Sequence, residues 1–383
     1  MPMNSHSTIL DVTFVWQSEN VTVTPQWSLY GLCDGHGGSK AATFVKDNIV
    51  LELQKRLPEW IPESWSSPEV AEFAFSVMEA VSEAIQTMEK KWRTSAMTDH
   101  SGSTITLALR CDRFLTVANV GDSSAFLDCG GSIHPVTHSH RLEDNPFEVQ
   151  RLRDAGITIA RVRGTYELEP ALPDETGIGA LRVWPGGLAM GRSFGDVDAP
   201  RPVTAQPHIK QMVIPEEGAR LYLGSDGVWD VLNATAITRS CRHQVPQQAS
   251  HLIMDRIILG SGGCPIDDAT IVVADMLPES TRKDFLGASK PAPRKKRFKR
   301  RMFSKSGKNP FDFLCEIDSI DIRPLPARVD SSAPVRIQPK SSIGRHLHCS
   351  ATSLDIFHTP RKDTFMEEEE EGEEKIGIHA DSL

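Results

Sequence analysis

Residues 29–38 constrain the fold of this chain more than any other stretch. An apolar run ends in Asp34, which is followed by Gly35, His36 and two further glycines. This pattern predicts a strand that stops at a sharp turn, because glycine adopts backbone conformations that other residues avoid. At such a turn Asp34 could bind a cation, and His36, which titrates near neutral pH, could move a proton. The alternative is an ordinary polar hairpin turn, so the choice depends on what the rest of the chain supplies.

Two more predicted strands end in a carboxylate, at Asp226 and at Asp267. Carboxylates at strand ends can converge at the rim of a rigid sheet, and Mg²⁺ and Mn²⁺ prefer oxygen ligands of this kind. Any single one could be a turn aspartate. Three of them, with His36 beside the first, indicate a metal-hydrolase site.

Hydrophobic periodicity predicts both helices and strands before residue 277. Apolar residues recur at helical spacing after Gly38, and a second helix is predicted from Ser67 as N-cap with Pro68 at its first position. Residues 105–111 and 114–120 predict a hairpin of two apolar strands with both faces covered.

A third helix is predicted over residues 146–155, with Asp144 or Asn145 as its N-cap and Gly156 at its end. Residues 161–180 are rich in Gly, Pro and Glu and lack periodicity, so a surface flap is predicted there.

Composition is that of a soluble globular protein. Of 383 residues, 39% are hydrophobic and 24% are charged, and the net charge of −9 argues against general nucleic-acid binding. No apolar run reaches the length of a membrane span, and the N-terminus lacks the pattern of a secretory signal. Seven cysteines without a C-x-x-C spacing indicate reduced thiols, so the nucleus or the cytoplasm, or both, is the expected location.

The last hundred or so residues change in character. Residues 278–383 show no sustained period and are predicted to form a disordered tail. Seven of the eight residues in 294–301 are basic, and seven of the eight in 367–374 are acidic. The basic block is interpreted as a nuclear-import signal, bound by an import receptor, or as a patch for anionic surfaces. The alternative is a solvated run of charge.

Six motifs, in this order, resemble those of the metal-dependent serine/threonine protein phosphatases of type 2C. They are Asp-Gly-His-Gly-Gly at 34–38, Ser-Gly-Ser-Thr at 101–104, Asn-Val-Gly-Asp-Ser at 119–123, Leu-Ala-Met-Gly-Arg-Ser-Phe-Gly-Asp at 188–196, Ser-Asp-Gly-Val-Trp-Asp at 225–230 and Asp-Asp-Ala-Thr at 267–270. The resemblance implies an α+β fold, a four-layer sandwich of two antiparallel β-sheets flanked by α-helices. It implies a catalytic domain over residues 1–277, with the tail outside it.

The resemblance also implies a mechanism. Two Mg²⁺ or Mn²⁺ ions share a water that yields hydroxide near neutral pH, and this hydroxide attacks phosphorus in line. By the motif match Asp34 bridges both ions, the Gly35 carbonyl binds one of them, and Asp226 and Asp267 complete the cluster. His36 is the general acid that protonates the departing Ser or Thr oxygen. The expected partners are phosphorylated proteins, with no specific nucleic acid, and the expected state is a monomer.

The sequence departs from the type 2C pattern in two places. The family has an Arg and then a Glu-Asp pair on the first strand, but here Leu10 stands where Glu would be and Asp11 is the surviving acid. The first arginine of the chain is Arg56. Ser139 replaces an aspartate that helps to bind a third metal in the family.

These departures leave three interpretations. The first is an active phosphatase in which Asp11 serves as a metal ligand and Arg182 or Arg192 offers charge to the phosphate. The second is a pseudophosphatase, a binding or regulatory module whose chemistry is weakened by the missing Arg and Glu. The third is a nuclear scaffold that acts through its tail.

Overall fold

The computed structural model describes residues 10–18, 25–95, 99–164, 169–263, 267–277, 315–317 and 354–359. The strands in this part of the chain are β1 (Val12–Gln17), β2 (Trp27–Cys33), β3 (Gly35–His36), β4 (Gly102–Ser103), β5 (Ile105–Cys111), β6 (Phe114–Val120), β7 (Ser124–Asp128), β8 (Ile133–Pro135), β9 (Thr158–Val162), β10 (Ile178–Trp184), β11 (Phe194–Gly195), β12 (His208–Val213), β13 (Ala219–Gly224), β14 (Ala269–Met276), β15 (Cys315–Ile317) and β16 (Leu354–Thr359). The helices are α1 (Lys40–Gln54), α2 (Glu69–Ser95), α3 (Pro146–Asp154), α4 (Asp226–Trp229), α5 (Ala234–Cys241) and α6 (Pro246–Gly260).

Two antiparallel sheets form the centre of the fold. The first has the order β1-β2-β5-β6-β12-β15 and the second has the order β16-β14-β13-β7-β8. Their facing sides share one apolar core, which contains Leu32 and Leu115 from the first sheet and Leu127, Leu221 and Leu223 from the second. The alternation of side chains along each strand places the neighbours of these residues on the outer faces.

Helices cover both outer faces, so the structure has the four layers that the resemblance implied. On the first sheet Leu29 and Leu107 pack with buried residues of α1 and α2, among them Ile49 and Phe73. On the second sheet Tyr222 packs in a cluster with residues of α5 and α6. The α+β four-layer prediction is confirmed.

Local predictions from the sequence were confirmed where the hydrophobic pattern was strong. The hairpin of β5 and β6 pairs from Ile105 opposite Val120 to Cys111 opposite Phe114. Asn145 caps α3, because its side chain accepts hydrogen bonds from the backbone N–H groups of Phe147 and Glu148.

Two local predictions were wrong in part. The Ser67 hydroxyl is buried without a hydrogen-bond partner in the described structure, so it does not cap α2, which begins at Glu69. The segment 161–180, predicted as a flap, includes the end of β9 and the start of β10, which pair as a hairpin with a bulge between Ile178 and Arg182.

Two short segments from the predicted tail are described, and both extend a sheet. β15 pairs with β12, and β16 pairs with β14 with Thr359 opposite Ala269. The sequence predicted no strand there, so both are additions to the predicted fold. The basic block 294–301 and the acidic run 367–374 lie outside the described residues. Among the helices that are described, none is both long enough and apolar enough to cross a membrane.

Candidate active site

Asp34 is fixed by its backbone at the end of β2. Its N–H donates to the Thr104 hydroxyl at 3.0 Å, and its carbonyl accepts from the Thr104 N–H at 2.8 Å and from the Ser103 hydroxyl at 3.1 Å. The Ser-Gly-Ser-Thr motif therefore fixes the turn that carries Asp34. These bonds involve only the backbone of Asp34 and not its carboxylate. Gly35 is required at this turn, because a Cβ there would lie 2.6 Å from the carbonyl oxygen of Leu10.

Asp11 lies beside this turn, immediately before β1. Val12 pairs with Cys33, so the chain places Asp11 next to Asp34. The Asp11 side chain is buried, and neither carboxylate oxygen has a hydrogen-bond partner within the described part of the chain. Burial raises the pKa of Asp11 to about 6 against the lowering effect of the nearby side chains of Thr270 and Asp34, and the charge of Asp268 adds to the rise.

The second sheet delivers Asp226 and Asp267 to the same end of the sandwich. β13 and β14 are antiparallel, so the end of one lies beside the start of the other, and the Ser225 N–H donates to the Thr270 carbonyl at 3.1 Å. The Leu10 N–H donates to Asp268 Oδ2 at 3.2 Å, which joins the start of the first sheet to this corner. Four carboxylates predicted as metal ligands thus lie in one neighbourhood.

The electrostatics of the cluster confirm this proximity. Burial raises the pKa of Asp34 well above its usual value, and the charges of Asp11 and Asp226 raise it further. Burial also raises the pKa of Asp226 to about 7, with contributions from Asp122 and Asp267. Carboxylates that repel one another in a partly desolvated site favour a bound cation or bound protons.

One cation is already part of the cluster. The guanidinium of Arg141 lies among Asp122, Asp226 and Asp230, and it forms an ion pair with each of them. Its Nε is 3.0 Å from Asp122 Oδ2 and its Nη1 is 2.8 Å from Asp230 Oδ2, and Nη2 bonds Asp226 Oδ2. Arg141 is not among the residues that the sequence predicted for the site. The signal was an arginine directly after the Thr-x-x-His segment, in which Ser139 replaces a carboxylate.

His36 has a carboxylate partner that the sequence did not assign. Its Nε2 lies 2.9 Å and 2.8 Å from the two carboxylate oxygens of Asp196, whose Oδ2 also accepts from the Ser193 hydroxyl at 2.5 Å. Gly102 permits this approach, because a Cβ there would lie 2.1 Å from Asp196 and 2.3 Å from His36. Burial lowers the pKa of His36, but the hydrogen bond and charge of Asp196 outweigh it and the pKa is raised.

The two arginines suggested for phosphate have other contacts. Arg192 forms an ion pair with the buried Glu148 of α3, with Nη2 2.8 Å from the carboxylate. Arg182 donates to the Gly187 carbonyl at 2.5 Å. These contacts give both residues structural roles, and the arginine that lies in the acidic cluster is Arg141.

The residues present suit divalent cations in their chemistry. Within the described residues, no three His, Cys, Asp or Glu side chains already surround a point where an ion could sit. Arg141 bonds Asp226 Oδ2 and so holds that carboxylate on its own side of the cluster. The buried Asp11 carboxylate, without a partner and next to Asp34, is the observation that fits a cation, since an unpaired buried charge is costly.

The acidic cluster makes the metal-free protein sensitive to pH. The folded-state pKa values of Asp11, about 6, and Asp226, about 7, exceed the ordinary value of 3.8. Between about pH 5.5 and about pH 7, above the range in which Glu52, Asp99 and Glu148 titrate in the unfolded chain, these two aspartates bind more protons in the folded protein than in the unfolded chain, and their contribution makes the free energy of unfolding fall as pH rises. We expect the thermal midpoint in EDTA to fall over this interval, and to fall less for Asp226→Asn. If the thermal midpoint falls with the same slope in the wild type and in Asp226→Asn, Asp226 does not have the raised pKa described above.

Comparison with known proteins places the chain in a family. The family model described as protein phosphatase 2C matches residues 3–259. The chain belongs to the protein phosphatase 2C family. Probable protein phosphatase 2C 15 of Oryza sativa subsp. japonica is 33% identical over 254 residues, which are 66% of this chain and 53% of the relative. Probable protein phosphatase 2C 5 of Arabidopsis thaliana is 32% identical over 277 residues, 70% of this chain and 58% of the relative.

This phosphatase 2C chain spans little more than half the length of these relatives. Among solved structures, a serine-threonine phosphatase 2C from Toxoplasma gondii is similar with a TM-score of 0.52 and 19% identity, covering 65% of this chain and 84% of that one. A C. elegans sex determining protein is similar with a TM-score of 0.53 and 18% identity, covering 72% and 63%. At these identities the structural similarity supports the fold alone.

Proposed function

We propose that this phosphatase 2C domain hydrolyses phosphoserine and phosphothreonine in proteins with the help of Mg²⁺ or Mn²⁺. The observation that carries the proposal is the buried carboxylate of Asp11, which makes no hydrogen bond of ordinary geometry in the described structure and lies near the side chains of Asp34 and Thr270. Asp11 forms an acidic cluster with Asp34, Asp226 and Asp267, in which the raised pKa values of Asp11, Asp34 and Asp226 mark unbalanced negative charge. Because the chain belongs to the protein phosphatase 2C family, we assign this negative charge to the binding of catalytic metal ions.

Each predicted residue has a role in this proposal. Asp34, Asp226, Asp267 and Asp11 would hold two ions with their carboxylates, and Gly35 would contribute its carbonyl. Bound divalent ions lower the pKa of water to near neutrality and offset charge on phosphoryl oxygens. The chain's part is to keep the carboxylates at the rim of two rigid sheets, as the bonds from Thr104 to Asp34 do.

His36 would supply the proton that the leaving Ser or Thr oxygen needs. Asp196 bonds Nε2, so Nδ1 is the ring nitrogen that would donate to the substrate. The carboxylate stabilises the imidazolium form and raises the pKa of His36 against the effect of burial, which favours the protonated donor.

A phosphopeptide assay tests the proposed activity. Purified protein with Mn²⁺ should release phosphate from a phosphothreonine peptide and not from the matching phosphotyrosine peptide, and EDTA should stop the release. A protein that binds the phosphothreonine peptide without releasing phosphate would instead support the pseudophosphatase alternative. Two observations favour that alternative: Leu10 offers only its backbone to Asp268, and Arg141 occupies part of the acidic cluster.

The basic block at residues 294–301 would direct the protein to the nucleus through an import receptor. Seven basic residues in eight positions support this assignment. Replacing these seven residues by glutamine should abolish nuclear enrichment of the tagged full chain, whereas the same replacement of Lys46, Lys55 and Arg153 should not. An unchanged distribution would reject the assignment.

A further inference from the structure

Arg141 connects three parts of the chain at the rim of the sandwich. Asp122 lies in the turn after β6, Asp226 begins α4, and Asp230 follows the same helix. Asp122 is buried, whereas the side chain of Asp230 is about half exposed at 55%. The guanidinium is itself mostly buried, with 21% of its side chain exposed.

The position of Arg141 is fixed by its backbone. Its N–H donates to the Ser139 hydroxyl at 3.2 Å, and it forms an isolated β-bridge with Met190. The next residue, Leu142, donates its N–H to the Ala189 carbonyl at 2.9 Å. The Ser139 side chain thus supports the backbone of the arginine, and the guanidinium reaches the carboxylates from an ordered segment.

A guanidinium suits a pocket with carboxylates on several sides. It carries five N–H donors in a planar fork and stays charged at every physiological pH. Here Nε, Nη1 and Nη2 each bond a different carboxylate, so the cation satisfies three acceptors at once. A divalent ion at the same place would have to break all three of these bonds and displace the guanidinium, whose positive charge repels it.

We propose that the Arg141 guanidinium is a built-in cation that closes the Asp122–Asp226–Asp230 side of the site to divalent ions. Divalent ions are then restricted to the side formed by Asp11, Asp34 and Asp267. Arg141 bonds Oδ2 of Asp226, so Oδ1 is the oxygen through which Asp226 would contribute to ions on that other side. The inference rests on the proposed function in one respect, that divalent ions bind at Asp34.

Replacement of Arg141 by glutamine should create room for one more ion. Glutamine has neither the positive charge nor the planar guanidinium of arginine, so Asp122, Asp226 and Asp230 lose their cation. Titration of the full chain with Mn²⁺ by calorimetry should give one more bound ion per chain for Arg141→Gln than for the wild type. The double variant Arg141→Gln/Asp122→Asn should lose that extra ion. Arg153→Gln, an exposed change on α3, is the matched control and should keep the wild-type number.

Equal numbers of bound Mn²⁺ in the wild type and in Arg141→Gln would overturn the inference while leaving the proposed function intact. An absence of Mn²⁺ binding in both proteins would overturn the proposed function as well. Asp230→Asn supplies a test that does not depend on the folding of the arginine variant, because Asp230 is exposed. In a chain that keeps Arg141, this change should alter neither the number nor the affinity of bound Mn²⁺. A loss of one ion in Asp230→Asn would show that divalent ions use this side despite the arginine.

Discussion

Replacement of Asp34 by asparagine should lower phosphate release from a phosphothreonine peptide by about a thousandfold or more, which corresponds to roughly 4 kcal/mol of lost transition-state stabilisation. Asparagine keeps the size of the side chain and the backbone bonds to Thr104, but it removes the carboxylate charge that interacts with those of Asp11 and Asp226. Initial rates with saturating Mn²⁺ measure the effect. Asp47→Asn, on the exposed face of α1, is the control and should retain the wild-type rate.

The same substitution should have the opposite effect on the stability of the metal-free protein. Asp34 is buried and is repelled by Asp11 and Asp226, so removing its charge removes this repulsion and stabilises the folded state. In EDTA near neutral pH the thermal midpoint of Asp34→Asn should exceed that of the wild type. A variant that keeps more than a tenth of the activity, or that is less stable without metal, would contradict the role assigned to Asp34.

The second large effect is on folding, at Glu148. This buried carboxylate of α3 pairs with Arg192 and with Arg151, whose Nη2 lies 2.6 Å away. Replacement by alanine removes the carboxylate that neutralises both guanidinium groups in the described structure and leaves them with carbonyl contacts such as those to Pro202 and Gln206, and the free energy of unfolding should fall by about 3 to 5 kcal/mol. Urea unfolding in EDTA measures this loss. Glu79→Ala, on the exposed face of α2, should change the value by less than about 0.5 kcal/mol.

The effect at Glu148 should also depend on pH with a defined sign. Burial raises the pKa of this carboxyl, but the bonds and charges of Arg151 and Arg192 outweigh it and lower the pKa to about 2. The stabilisation is therefore complete above the ordinary value of 4.5 and is lost as pH falls towards 2. The wild type and Glu148→Ala should converge in stability on acidification. A difference that stays constant down to about pH 3 would contradict the ion-pair explanation.

The sequence could predict much of the fold because its strongest signals are local. The apolar hairpin of β5 and β6 and the Asn145 cap follow from neighbouring residues. The β9–β10 hairpin could not be recognised, because Gly177 and Gly179, both with positive φ, and a bulge interrupt the alternation of side chains. The pairing of β15 and β16 with sheet edges depends on distant backbone groups, which leave no periodic pattern in the tail itself.

In the candidate site, too, local features could be predicted from the sequence and long-range contacts could not. Asp34 and Asp226 were identified because each closely follows the end of an apolar strand, which is visible in the sequence. Asp267 was also predicted at the end of a strand, but it lies before the start of β14, and the antiparallel pairing of β14 with β13 brings it to the same corner. The pairing of His36 with Asp196 joins residues 160 positions apart and depends on the absence of a side chain at Gly102. Arg141 was missed because its function depends on three carboxylates that only the folded chain brings together.

The most direct test combines Mn²⁺ binding and phosphate release in the wild type and in Asp226→Asn. The central claim is that the acidic cluster binds divalent ions and uses them to hydrolyse phosphothreonine. It predicts that the wild type binds Mn²⁺ in calorimetry and releases phosphate from a phosphothreonine peptide, and that Asp226→Asn binds fewer ions and is inactive. If the two proteins are equally inert and Mn²⁺ binds to neither, the claim is wrong.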